Sequence, residues 1–239
     1  QLNTQNLEVN ALKFLPESPN SSISCAFTHG YTTHKGSILT WASKLMELNI
    51  PCILFDLPGH ILGSNDAIPS LETFIEETPK LFTEAKKALN GPKNFLTGGH
   101  SLGALMSLMA GESNPTFAHF CAGLGSSDPS RKHLFQTEFF KETLNLRGQL
   151  VSKVISPDII FPWIAERKQN LSIKNQKIHF VSGEDDIVIG KTEGLNRLIQ
   201  LIANSNFITK EVPKSLPHHQ PDRIGIYLKK YVKNLLENL

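Results

Sequence analysis

The sequence is poor in the features that mark metal, nucleotide or membrane proteins. Its three cysteines, Cys25, Cys52 and Cys121, stand singly in apolar runs. With no C-x-x-C pair and no H-E-x-x-H run, the compact metal-ligand spacings are missing and no metal site is expected. An odd number of scattered cysteines reads as buried free thiols in a reducing compartment, which points to the cytoplasm. No G-x-G-x-x-G follows the first strand pattern, so no dinucleotide cofactor is expected either. The formal net charge is only +2 over 239 residues, too small and too evenly spread to suggest a nucleic acid or an anionic membrane surface as partner. No apolar run nears the roughly 20 residues that span a bilayer, and no secretory apolar segment opens the chain. The chain starts at Gln1 rather than Met, which leaves room for a trimmed upstream segment. Two glycosylation sequons, at Asn20 and Asn170, are read as chance in that setting.

What is present is an ordinary globular composition, 40% apolar and 19% charged, at a length that one α/β domain can use whole. Leu7 to Phe14 alternates loosely, as an edge strand or hairpin arm does. Strand patterns follow at Ile23–Thr28, Ile50–Phe55, Phe95–Thr97, Phe117–Ala122, Ile178–Val181 and Phe207–Thr209. Between them lie helical stripes. The first carries Ile38, Trp41, Ala42, Leu45 and Leu48 at a 3.6-residue period. A second, capped by Ser70 and closed by Gly91, contains Pro79, which should kink or split it. Thr192–Ala203 forms another, and the chain closes on an amphipathic helix with Ile224, Leu228, Tyr231, Val232 and Leu235 on one face. Such alternation predicts a doubly wound, mostly parallel sheet in a single domain spanning 1–239.

One stretch carries chemistry. Gly98-Gly99-His100-Ser101-Leu102-Gly103-Ala104 lies between a strand pattern and a helical one. Gly99-x-Ser101-x-Gly103 has the spacing of a nucleophile elbow, a turn so tight that the residues two positions either side of the serine must be glycine-sized. That geometry lifts the Ser101 hydroxyl off the sheet end and aims the Leu102 N–H at the same spot, with a helix N-terminus behind to favour negative charge.

In its order of parts the chain, from about Ile23 onward, resembles the α/β-hydrolase superfamily. His29-Gly30-Tyr31 is similar to that superfamily's His-Gly turn, which implies that the Tyr31 N–H joins that of Leu102 in an oxyanion hole. Asp56-Leu57-Pro58-Gly59-His60 resembles its structural D-x-P-G-H loop, although the continuation Ile61-Leu62-Gly63-Ser64 departs from the usual Gly-x-Ser by one residue. His60 is therefore read as a loop residue and not as a base. The superfamily's chain order is serine, acid, histidine. Its Gly-x-x-Asp pattern, followed by an apolar pair, falls on Asp186 in Gly183-Glu184-Asp185-Asp186-Ile187-Val188, with Asp185 as fallback and Asp128 a remote third. The histidine falls on His218, with the adjacent His219 as alternative. His34, His100, His119, His133 and His179 carry no positional argument.

The resemblance implies a serine hydrolase, without cofactor, that cleaves a carboxylic ester or thioester of a small-molecule acyl substrate through Ser101, His218 and Asp186. The same groups would also serve acyl transfer, and a scaffold of this kind can hold a non-catalytic small-molecule receptor. The irregular segment at about 126–176 sits where related enzymes insert a cap or lid. It is rich in large apolar residues, among them Leu134, Phe135, Phe139, Phe140, Leu144, Leu150, Val154, Ile159, Ile160, Phe161 and Trp163, which suit either a cleft wall or core.

Overall fold

Chain order in the computed structural model begins with a two-stranded hairpin, β1 (Leu2–Asn3) and β2 (Glu8–Val9), and runs on into β3 (Ala11–Phe14). Residues 1–20, 22–63, 67–90, 94–128, 130 and 137–239 are described, apart from the side chain of Phe139. Gly91 as helix closure, Ser64, His133, Leu134 and Phe135 lie outside them. β4 (Ile23–Thr28), α1 (Leu39–Met46), β5 (Cys52–Phe55), α2 (Leu71–Ala88), β6 (Asn94–His100), α3 (Leu102–Ser113) and β7 (Ala118–Ala122) then alternate. After them come α4 (Glu138–Gly148), α5 (Pro157–Gln169), β8 (Lys177–Val181), α6 (Lys191–Ile202), β9 (Phe207–Glu211) and α7 (Gly225–Glu237).

The seven-stranded sheet has the order β3-β5-β4-β6-β7-β8-β9, and β3 alone runs antiparallel to its neighbour. All residues of β4, β5 and β7 are buried, as uninterrupted apolar strands covered on both faces must be. The loosely alternating N-terminal stretch becomes the edge strand β3, half exposed. On one face α1 and α7 pack together, their Trp41, Leu45, Leu228 and Val232 meeting Phe27 and Phe120 of the sheet. On the other, α2, α3 and α6 bury Phe74, Phe82, Leu105, Leu195 and Leu198. The three cysteines are free and buried on β4, β5 and β7. Among the described residues no helix is long and apolar enough to cross a membrane.

Pro79 does not split α2, which runs unbroken for 18 residues. The ring removes one backbone hydrogen bond, a penalty of about 3 kcal/mol. Phe74, Leu81, Phe82 and Ala85, fully buried along one side, outweigh it through tertiary packing. Ser70 caps the helix as its sequence position suggested, accepting from the Thr73 N–H at 3.2 Å. The 126–176 segment forms α4 and α5 with no strand among its described residues. Val151 within it forms an isolated antiparallel bridge with His60.

Candidate active site

Ser101 lies between β6 and α3, as the N-cap of the helix, with φ 52° and ψ −111°, a conformation that costs a non-glycine residue free energy and persists because the surroundings fix it. Its N–H donates to the Ala122 carbonyl of β7 at 2.7 Å. A Cβ on Gly99 would lie 2.5 Å from the Thr28 carbonyl oxygen, and one on Gly103 would lie 2.5 Å from the carbonyl oxygens of both Thr28 and His29. Both flanking glycines are therefore sterically required, as the elbow spacing demanded. Leu102, the first residue of α3, has an N–H with no intrahelical partner.

The His29-Gly30-Tyr31 turn packs directly against this elbow. A Cβ on Gly30 would stand 2.8 Å from His100 Nδ1 and 3.4 Å from Ser101 Cβ. His29 is fully buried, accepts the Leu57 N–H at Nε2 (2.9 Å) and bonds the Gly30 carbonyl through Nδ1 (2.8 Å). That pairing fixes a neutral ring, and burial holds it well below the ordinary imidazole range. The Tyr31 hydroxyl donates to the Ile155 carbonyl at 2.8 Å, tying the turn to the segment before α5, and its ring meets Phe161 edge-on.

The loop after β8 and the loop before α7 are joined. The Glu184 N–H donates to the Pro213 carbonyl at 2.8 Å, and Gly183 lies so close to the Leu216 carbonyl that a Cβ would approach to 2.3 Å. This contact brings Asp186 beside His218, with Oδ2 of the carboxylate 2.8 Å from Nδ1 of the ring. The other Asp186 oxygen accepts the Val188 N–H at 3.0 Å, so the buried carboxylate is fixed at both ends. Asp185 and His219 are exposed. Asp128 accepts from the N–H and hydroxyl of Ser130 within its own turn. Of the candidate pairs, then, Asp186 and His218 are the two brought together.

A cavity of about 630 Å³ opens over Ser101 and His218. It is lined by Tyr31, Leu102, Leu105, Leu124, Val188 and Ile189, together with Leu144, Phe161 and Ile164 of α4 and α5. The apolar residues of the 126–176 segment thus divide: Leu144 and Phe161 face the cavity, Ile155 and Ile160 are core, and Leu146 and Ile159 are exposed. His60 is buried in its loop with Nδ1 3.0 Å from the Pro58 carbonyl, as a structural residue should be. In the same loop Asp56 accepts from both the backbone and the side-chain nitrogen of Lys35.

Two neighbours were invisible in the sequence. His100 lies with its ring centroid 4.8 Å from that of His218, and burial, then the nearby His218, hold it well below the ordinary imidazole range. Gly123, at φ +58°, leaves the space that both rings occupy. A glycine immediately after the β7 pattern was the one available signal. Among the described residues no three His, Cys, Asp or Glu side chains gather to hold a metal ion.

No protein-family model matches the chain, and no curated protein matches it in sequence. Solved structures do resemble it. A lipase-esterase related protein from Clostridium acetobutylicum is 16% identical and aligns over 95% of this chain and 98% of its own, with a TM-score of 0.64. Est1E from Butyrivibrio proteoclasticus is 13% identical over 99% and 98%, at 0.66. A monoacylglycerol lipase from Paleococcus ferrophilus is 18% identical over 94% and 100%, at 0.63. At such identities the architecture is what is shared, and by it the chain has the fold of the α/β-hydrolase superfamily.

Proposed function

We propose that the protein is a serine hydrolase that cleaves a carboxylic ester or thioester of a small-molecule acyl substrate through an acyl-enzyme. The observation that carries this reading is the 2.8 Å His218–Asp186 contact opening on the same cavity as the strained Ser101. Ser101 Oγ attacks the carbonyl carbon and His218 Nε2 takes its proton. Asp186 holds Nδ1–H, which fixes the tautomer and stabilises the imidazolium. The N–H groups of Tyr31 and Leu102 receive the oxyanion, each such donor being worth about 3–4 kcal/mol in the transition state. His218 then protonates the departing alcohol or thiol, and water, activated by the same histidine, releases the acid.

In this reading the 126–176 segment is a cap on a single 1–239 domain, and Leu144 and Phe161 are its acyl-facing wall. The buried free thiols support a reducing, cytoplasmic setting. The lipases and esterases among the structural neighbours support the choice of ester chemistry. The test is turnover of 4-nitrophenyl esters of increasing chain length by the wild type and by Ser101→Ala. Loss of all turnover in the variant, with the fold retained, is expected. Undiminished hydrolysis by Ser101→Ala, or specific binding without any turnover by the wild type, would overturn the reading.

A further inference from the structure

The cavity wall contains a cation for which the proposed chemistry has no use. Lys168, in the last turn of α5, lines the cavity with Ser101 and His218, and its Nζ donates to the Gly125 carbonyl at 2.7 Å. Several other lysines sit on carboxylates, Lys35 on Asp56 and Lys141 on Glu138 among them, while exposed Lys13 donates to the Ala88 carbonyl. Lys168 has none in ion-pair range among the described residues. The next carbonyl along the same loop, that of Ser126, is taken by Arg197 Nε at 2.9 Å, so two cations hold this loop. Of the carboxylates lining the cavity, Asp128 is engaged by Ser130, and Asp158 is exposed on the first turn of α5, where its field acts on Tyr31 and Lys141.

An ammonium that gives one hydrogen bond to a neutral carbonyl retains two N–H donors and its full charge. Lys168 is half-buried, and partial desolvation without a counter-charge draws its ammonium down to about 8. The wall also carries Lys141, held by Glu138, while Leu105, Leu124, Leu144, Phe161 and Ile189 supply apolar surface, so an anion entering the cavity would meet the Lys168 charge at a dielectric below that of water. From these contacts we infer that Lys168 is a specificity residue and that the substrate is an ester bearing a carboxylate, which pairs with Lys168 while Ser101 attacks the ester carbonyl. This inference rests on the proposed hydrolase reading and narrows its substrate class.

The test compares kcat/KM for three 4-nitrophenyl esters of matched length: the glutarate monoester (anionic), the hexanoate (neutral) and a 5-(trimethylammonio)pentanoate (cationic). A second pair, phenyl and 3-carboxyphenyl butyrate, carries the charge on the alcohol side instead. Wild type should favour the anionic member of one set by at least about tenfold, and the set that responds says which side of the ester bears the carboxylate. Lys168→Gln removes the charge while retaining an N–H donor on a side chain one atom shorter, so its anionic-to-neutral ratio should fall to about one. Lys168→Glu should reverse the preference toward the cationic ester. Hydrolysis of the neutral ester with no anionic preference in either set overturns the inference, as does a preference that survives Lys168→Gln. If a variant fails to fold, the wild-type ratios still decide. Absence of turnover on every ester, together with no reaction of Ser101 with a fluorophosphonate, instead overturns the hydrolase reading and this inference with it.

Discussion

Acid should begin to destabilise this protein before its carboxylates titrate. His60, His119 and His179 are buried, and burial pushes each down to about 4. His119 shows why: it sits between β7 and α3 with Nδ1 2.9 Å from Ser107 Oγ and 3.0 Å from Thr97 Oγ1, and with no carboxylate bonded to it. In the unfolded chain each ring returns to about 6.5. The unfolded state therefore binds the extra protons, and stability contributed by the neutral rings is complete above pH 6.5 and is lost as pH falls toward 4. At pH 5 each ring has given up about 2 kcal/mol, so the three together give up about 6 kcal/mol against a total stability of about 5–15 kcal/mol. His29 and His100, depressed in the same direction, add to the loss. Urea denaturation followed by circular dichroism from pH 7 to pH 5 should show the midpoint collapsing, with three or more protons taken up per molecule unfolded. His119→Gln should lower that uptake by about one. A midpoint that stays level across this range, or an uptake below one proton, would refute the assignment of these rings as buried and neutral.

Further outcomes follow from the same contacts. His218→Ala and Asp186→Asn should each lower kcat by several orders of magnitude, the second through loss of the correct imidazole tautomer, whereas His219→Ala and Asp185→Asn, exposed positions, should change it less than tenfold. A dead His219→Ala beside an active His218→Ala would show the register of that loop to be wrong by one. Because burial raises all three thiols, Cys52 to about 12, titration at pH 8 should find few reactive cysteines in the native protein and three after denaturation. A disulfide, or rapid native alkylation, would contradict their burial.

How far the sequence could be read depended on whether local sterics or tertiary contacts made the decision. Gly99-x-Ser101-x-Gly103 was legible because its glycines answer to carbonyls of the adjacent strand β4, a constraint any such turn imposes. The parallel sheet was legible in its apolar strands, since only two-sided burial tolerates Cys52-Ile53-Leu54-Phe55. Asp186 and His218 could be proposed only through the superfamily resemblance, from its chain order and its Gly-x-x-Asp pattern. Their pairing depends on the Gly183–Leu216 contact between segments some thirty residues apart, which no periodicity encodes. The unbroken α2 shows a propensity rule overruled by packing around Pro79. Lys168 and His100 gave no signal, because what distinguishes them is the lack of a carboxylate in one case and a neighbouring ring from a distant loop in the other.

The central claim is that Ser101 is an activated nucleophile, and covalent labelling tests it most directly. Incubation with a fluorophosphonate, followed by intact-mass and peptide mass spectrometry, should show one adduct per chain, on Ser101. Labelling should be lost in Ser101→Ala and strongly slowed in His218→Ala, where the serine keeps its position but loses its base. A folded protein that takes up no label, or takes it up equally at another serine, would contradict the account.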